Sequence, residues 1–178
     1  MTRRFALFFG MALALAACAS PEPVRFGPDG RPLPQVYRID ESDTADVQFR
    51  FLDGVNALRA ASGAQQVSLS SELTAAAATH SQDMSLQNRP WHFGSDGSSP
   101  LDRVARAGFS GQLLGENISE SYESEIETLA AWMSEPDTRN VILDPRATDL
   151  GISWYQEPSG KIWWTVILGE SAAPLLQG

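Results

Sequence analysis

Apolar side chains recur at helical spacing in three stretches of the chain, at residues 47–58, 73–84 and 122–133. The first stretch stops at Gly63 and the third is interrupted by Pro136, and both residue types commonly end helices. A shorter helix is predicted between the start signal Ser99-Pro100 and Gly108. We therefore predict four helices in this part of the chain.

The hydrophobic pattern changes to that of β-strands near the C-terminus. Residues 150–155 and 162–168 are rich in β-branched and aromatic side chains, and the turn-like residues 157–160 separate them. We predict a β-hairpin. The second run is apolar at both alternating sets of positions, so both of its faces are expected to be covered. A sheet buried between helical layers follows, with the Trp163-Trp164 pair in its core.

The N-terminus has the pattern of an export signal. Two arginines, Arg3 and Arg4, precede an uncharged and apolar run at residues 5–17. That run is shorter than the ~20 residues that a membrane-spanning helix needs. Its end, Leu15-Ala16-Ala17-Cys18, resembles the lipobox of bacterial lipoproteins, in which the signal is cut before the cysteine and the sulfur receives a diacylglycerol. We predict a lipoprotein signal peptide at residues 1–17; the alternative is an ordinary secretory signal.

Cys18 is the only cysteine of the chain, so an exported form has no partner for an intramolecular disulfide. Two or more acyl chains such as palmitate would hold the mature protein on a membrane almost irreversibly. We expect a protein anchored in the bacterial cell envelope through Cys18. Ala19 is not the aspartate that retains such lipoproteins in the inner membrane, which favours the outer membrane, on its periplasmic or surface side.

Composition divides the rest of the chain into a linker, a domain and a tail. Residues 18–40 contain five prolines and few apolar side chains, which is typical of an extended linker. We predict one compact domain at residues 41–172 and a tail at residues 173–178. The formal net charge of −9 opposes binding to nucleic acid and to anionic lipid surfaces. We therefore expect no nucleic-acid partner, and contact with the membrane through the lipid on Cys18.

Seven short motifs follow one another through the predicted domain. They lie at residues 55–59, 80–84, 92–103, 115–118 (Gly-Glu-Asn-Ile), 132–133, 139–143 and 150–152. As an ordered set they resemble the CAP superfamily, the SCP-like domain of cysteine-rich secretory proteins, antigen five and plant pathogenesis-related proteins, and above all its bacterial branch. The resemblance implies an α+β fold, a three-layer α-β-α sandwich with a largely antiparallel sheet. That fold agrees with the helices and the hairpin predicted independently.

The resemblance also implies a cleft in which two histidines and two acidic residues can hold a divalent metal such as zinc. His92 takes the first histidine position and Glu116 the first acidic position. Glu135 resembles the second acidic position, whereas Thr138 stands where the second histidine is expected. A threonine hydroxyl is a poor zinc ligand. A further oxygen from Asp137 would favour magnesium, calcium or manganese.

Each candidate residue also has a structural interpretation. His80 lies on the apolar stripe of the second predicted helix, which predicts a buried, hydrogen-bonded histidine. His92 follows in a polar loop, which favours a role in the cleft. Glu116 either belongs to the cleft or ties down Arg103 inside the fold. Glu135 either belongs to the cleft or caps the turn that follows it.

Three functions are open at this point, and the missing second histidine favours the first. It is a non-enzymatic binding module that presents a cleft around His92 and Glu116 to a small ligand, a lipid or an envelope component. The second is a hydrolase, either metal-assisted or with His92 as general base and Glu116 or Glu135 as its partner. The third is a degenerate family member that acts as an envelope scaffold.

Overall fold

The computed structural model describes Pro28, Arg31 and residues 37–172, and that part of the chain forms five α-helices and a four-stranded sheet. The helices are α1 (Thr44–Ser62), α2 (Ser71–Gln87), α3 (Pro100–Arg106), α4 (Glu125–Ser134) and α5 (Pro136–Ile142). The strands are β1 (Ser68–Leu69), β2 (Gln112–Glu120), β3 (Asp149–Gln156) and β4 (Ile162–Glu170). The predicted signal peptide, Cys18 and the C-terminal tail lie outside the described residues. Within those residues, no helix is long and apolar enough to cross a membrane.

The sheet has the strand order β1-β3-β4-β2 and is largely antiparallel, as predicted. The short strand β1 runs parallel to β3, whereas β3 and β2 both pair antiparallel with β4. The predicted hairpin is β3–β4, with Gln156 opposite Ile162 at its tip. Strand β4 therefore lies between two long partners.

Side chains of β4 pack into two separate hydrophobic cores, one on each face of the sheet. Trp164, Val166 and Leu168 join the larger core, to which α1, α4 and α5 contribute. Ile167 points to the other face and packs with Leu73 of α2 and with α3. The expectation that both faces of this strand are covered is confirmed, and with it the three-layer α-β-α arrangement.

Serine side chains set the start of three helices. Ser70 accepts a hydrogen bond from the backbone N–H of Leu73 at the start of α2. Ser99 and Ser124 each form a capping box with an acidic residue three positions later, at the starts of α3 and α4. Helix α1 ends at Gly63, whose φ of 79° lies in the left-handed region. The predicted signals at Gly63 and Ser99 are thus confirmed.

The fourth helix differs from the prediction. It begins at Glu125, so Tyr122 lies before it, and Ile126 on the predicted apolar stripe is 48% exposed. The capping box at Ser124 sets the start of the helix, and its buried face includes Thr128, Leu129 and Trp132. Three of these elements were not predicted, strands β1 and β2 and helix α5. Strand β2 carries Glu116 of the candidate site, and α5 contacts β2.

Candidate functional site

Glu116, in the middle of β2, forms a buried ion pair with Arg103 of α3. The Arg103 Nη2 group donates to Glu116 Oε1 at 3.0 Å and to Oε2 at 2.8 Å. The side chains of Arg103 and Glu116 are only 4% and 1% exposed. A buried charge is stable only when it is paired and hydrogen-bonded, and each of these side chains provides that partner for the other.

Arg103 also fixes the loop that carries His92. Its Nη1 group donates to the backbone carbonyl oxygens of His92 and Ser98, both at 3.1 Å. The capping box at Ser99 starts the short helix α3 directly after this loop and so sets the direction from which the guanidinium approaches. One side chain therefore joins the loop, the helix and strand β2.

His92 completes the contacts of the Glu116 carboxylate. Its Nδ1 lies 2.9 Å from Glu116 Oε1, and because an ionised carboxylate only accepts hydrogen bonds, the Nδ1 atom carries the proton and donates it. The His92 side chain is 51% exposed. In the part of the chain that the structure describes, no hydrogen bond engages its Nε2 atom, which is the natural point of contact for a ligand.

His80 lies behind this pair and is completely buried. Its Nε2 atom donates to the carbonyl oxygen of Trp91 at 3.0 Å and lies 3.6 Å from Glu116 Oε1. Burial lowers the pKa of His80, an effect that the Glu116 carboxylate opposes and the Arg103 guanidinium reinforces. The predicted hydrogen-bonded core histidine is confirmed, but the pattern of apolar positions did not predict how close it lies to Glu116.

The lowered pKa of His80 predicts acid destabilisation. The unfolded chain takes up a proton near the ordinary histidine value of 6.5, whereas the folded chain resists protonation until lower pH. Stability is thus fully present above pH 6.5 and is lost as the pH falls through the folded-state value, with a slope of up to about 1.4 kcal/mol per pH unit. Urea unfolding between pH 6.5 and 5.5 should show this slope in wild type and a shallower one in His80→Asn; equal slopes would rule out His80 as the cause.

Glu135 and Thr138 do not join this cluster. Glu135 is exposed between α4 and α5, and its side chain makes no cap hydrogen bond at the start of α5. No hydrogen bond or ion pair among residues 37–172 links its carboxylate to His92 or Glu116. The Thr138 hydroxyl donates to the Trp132 carbonyl oxygen at 2.6 Å, so it stabilises the turn between α4 and α5.

The residues present do not fit the divalent metal that the family resemblance implies. Among the described residues, no group of three or more His, Cys, Asp and Glu side chains could hold a metal ion. A divalent ion beside Glu116 would also face the Arg103 guanidinium, which already occupies both carboxylate oxygens. The cation that contacts Glu116 in this structure is the Arg103 guanidinium, and the metal set of His92 and Glu116, with a further oxygen from Asp137, stays a prediction.

Fold and site together define a class: a three-layer α+β domain with a histidine and a buried glutamate at the edge of the sheet. The sequence model of the CAP, or cysteine-rich secretory protein, family matches residues 52–168. The chain belongs to this family.

A curated relative of the chain comes from a bacterium. It is 29% identical over 129 residues to the protein YkwD of Bacillus subtilis strain 168, which is described as uncharacterized. That match covers 72% of this chain, and the chain spans about half the length of this curated relative, 49%.

Solved structures share the fold at low identity. An outer surface protein of Borrelia burgdorferi is 14% identical with a TM-score of 0.67, over 78% of this chain and 100% of that one. An extracellular SCP-domain protein of Bacillus anthracis strain Ames is 21% identical with a TM-score of 0.66, over 75% of this chain and 45% of that one. At these identities the likeness shows the fold alone.

Proposed function

We propose that this chain is an exported CAP-domain protein of the bacterial cell envelope, anchored by a lipid on Cys18, that binds a ligand at His92 without catalysing a reaction. The ligand is a small molecule, a lipid or an envelope component that contacts the exposed imidazole. The anchor rests on the lipobox-like Leu15-Ala16-Ala17-Cys18 and on the unpaired cysteine. Export is supported further by two structural neighbours, described as an outer surface protein and an extracellular protein.

One observation carries the assignment of a binding site: both oxygens of the Glu116 carboxylate already accept hydrogen bonds from within the domain. Arg103 neutralises its charge and takes both oxygens, and His92 donates to one of them. Glu116 is therefore not free to activate water, to hold a metal ion or to take up a proton from His92. What the site offers to the outside is a fixed imidazole edge.

A His92-dependent hydrolase is the second candidate, and it has one observation in its favour. In the neutral form of His92, the hydrogen bond from Nδ1 to Glu116 places the single proton on Nδ1 and leaves Nε2 as an acceptor on the exposed side, which is the arrangement of a general base. Arg103 weakens this candidate because its charge offsets the stabilisation that Glu116 would give to a protonated His92.

The full-length chain, purified from the membrane fraction of a bacterial host, tests the anchor and the site together. Mass spectrometry is expected to show an acylated N-terminal peptide that starts at Cys18, and Cys18→Ser is expected to leave the membrane fraction. Nitrophenyl esters of short-chain and long-chain acids are then offered to wild type and His92→Gln. We expect equal, background-level rates.

Two results would overturn parts of this proposal separately. An unmodified mature N-terminus at another residue would remove the lipid anchor and leave the site untouched. Ester hydrolysis that falls tenfold or more in His92→Gln would replace the binding module by the hydrolase.

A further inference from the structure

A second surface feature lies beside the His92 site, between α2 and α3. It is a cavity of about 300 Å³, lined by α2, by the loop at residues 95–98 and by α3. Arg103 contributes to its wall, but His92 and Glu116 do not line it. The cavity therefore offers a contact area distinct from the His92 site.

The polar groups of this cavity are a mixture of hydrogen-bond donors and acceptors with little net charge. The Arg106 Nη1 group donates to Asp96 Oδ2 at 2.7 Å, and both side chains are more than half exposed. Asp83 accepts only from uncharged groups, namely Gln87 and the backbone and hydroxyl of Ser95. Its negative charge has no cationic partner among the described residues, which disfavours an anionic ligand.

A buried donor in the wall of the cavity lacks an acceptor. Arg103 is 4% exposed, and its Nε atom has no hydrogen-bond partner within the described part of the chain. A buried donor without a partner costs free energy. This atom has almost no accessible surface, so it is an internal feature of the wall and not a point of contact for a ligand.

Two exposed apolar side chains, called the ridge below, are associated with the same cavity: one of them lines it, and the other lies two residues before Ser95 in its wall. Leu86, which lines the cavity, is 78% exposed, and Phe93 is 49% exposed. The rings of Phe93 and Trp91 lie 5.6 Å apart, and the Arg89 guanidinium lies 3.7 Å above the Trp91 ring. Exposed rings held in place in this way offer flat apolar faces at a small cost in conformational entropy.

Gln87 connects the ridge to the polar cavity. It accepts from Trp91 Nε1 at 2.8 Å, and its own Nε2 donates to the Phe93 carbonyl oxygen at 3.2 Å and to Asp83 Oδ2 at 2.9 Å. The adjoining loop is tightly packed, since a Cβ atom on Gly94 would lie 2.5 Å from Ser98 Oγ. The surface is thus formed before any ligand arrives, which lowers the free energy cost of ordering it.

We propose that this surface, made of Asp83, Leu86, Phe93, Asp96 and Arg106, binds an uncharged glycan. A sugar ring presents hydroxyl groups that both donate and accept, together with an apolar C–H face. The hydroxyls match the carboxylates and the arginines of the cavity, and the C–H face matches Phe93 and Leu86. The assignment goes beyond the proposed function, because it does not depend on what His92 binds or whether His92 is catalytic.

Calorimetric titration of the full chain in detergent micelles with the neutral trisaccharide of N-acetylglucosamine tests the proposal. We expect saturable binding that Phe93→Ala and Arg106→Gln each weaken about tenfold, equivalent to about 1.4 kcal/mol. Phe49→Ala and Arg146→Gln are matched controls: Phe49 is a phenylalanine of similar exposure on α1, and Arg146 is an exposed arginine paired with Asp144 at 2.7 Å. Both controls should bind like wild type.

Several outcomes would overturn the glycan site. They are an absence of saturable heat in wild type, equal affinity in all four variants, and tighter binding of a sulfated oligosaccharide than of the neutral one. If His92→Gln lost binding while Phe93→Ala bound like wild type, the sugar would lie at the His92 site instead, and the separate surface would be refuted. Thermal unfolding of each variant identifies any loss of binding that is caused by misfolding.

Discussion

Replacing Arg103 with methionine is expected to lower the free energy of unfolding by about 3–5 kcal/mol. Methionine keeps most of the aliphatic volume but leaves the Glu116 carboxylate buried without its cation, and the carbonyl oxygens of His92 and Ser98 without a donor. Urea unfolding followed by tryptophan fluorescence measures the loss. A buried charge left unpaired is among the costliest defects that a single substitution can create.

Two further variants isolate the cause. Arg103→Met combined with Glu116→Gln removes the unpaired buried charge. The double variant should therefore lose about 1–3 kcal/mol less stability than the two single variants lose together. Arg146→Met breaks an exposed ion pair of the same 2.7–2.8 Å length and should change stability much less. Similar losses for Arg103→Met and Arg146→Met would show that the buried pair has no special structural role.

Gly151→Ala is expected to cost about 3 kcal/mol or more, or to prevent folding. Gly151 lies in β3 where α2 crosses the sheet, and a Cβ atom there would lie 2.1 Å from the backbone carbon of Leu73 and 2.3 Å from the backbone nitrogen of Thr74. Backbone atoms cannot rotate away as a side-chain tip can, so the helix would have to move off the strand. Circular dichroism and thermal unfolding measure the effect.

Gly54→Ala is the matched control for that substitution. A Cβ atom on Gly54 in α1 would meet only side-chain tips, with Leu129 Cδ2 the nearest at 3.0 Å. Alanine also favours helix over glycine by up to about 1 kcal/mol, so we expect a stability within about 1 kcal/mol of wild type. If the two variants unfolded alike, close approach of α2 to β3 would not be the reason for a glycine at position 151.

The local pattern of residues was sufficient to predict most of the fold. The doubly apolar run of β4 and the capping residues Ser99 and Gly63 act within a few residues, so the sequence displays them directly. Strand β2 escaped prediction because its central residues are polar and obtain their partners from distant segments: Glu116 from α3, and Asn117 from the carbonyl oxygen of Thr138. Pro136 was taken only as a helix breaker, although it also starts α5 at its first position.

The site was predictable in part. The family motifs predicted that His92 and Glu116 lie in one site, and in the structure His92 Nδ1 is 2.9 Å from Glu116 Oε1. The sequence left two roles open for Glu116, as a cleft residue or as an internal partner of Arg103. No local pattern predicts which distant charged group a carboxylate contacts. Thr138 stands where the family resemblance implies a histidine, but only the three-dimensional arrangement shows that the Arg103 guanidinium is the cation beside Glu116.

The central claim, that Arg103 and not a metal ion neutralises Glu116, is tested most directly by calorimetric titration of zinc into the full chain. Wild type is expected to show no saturable one-to-one binding. Thr138→His is expected to show none either, because the added imidazole leaves Arg103 on both oxygens of Glu116. Stoichiometric zinc binding by wild type that His92→Ala abolishes would contradict the account.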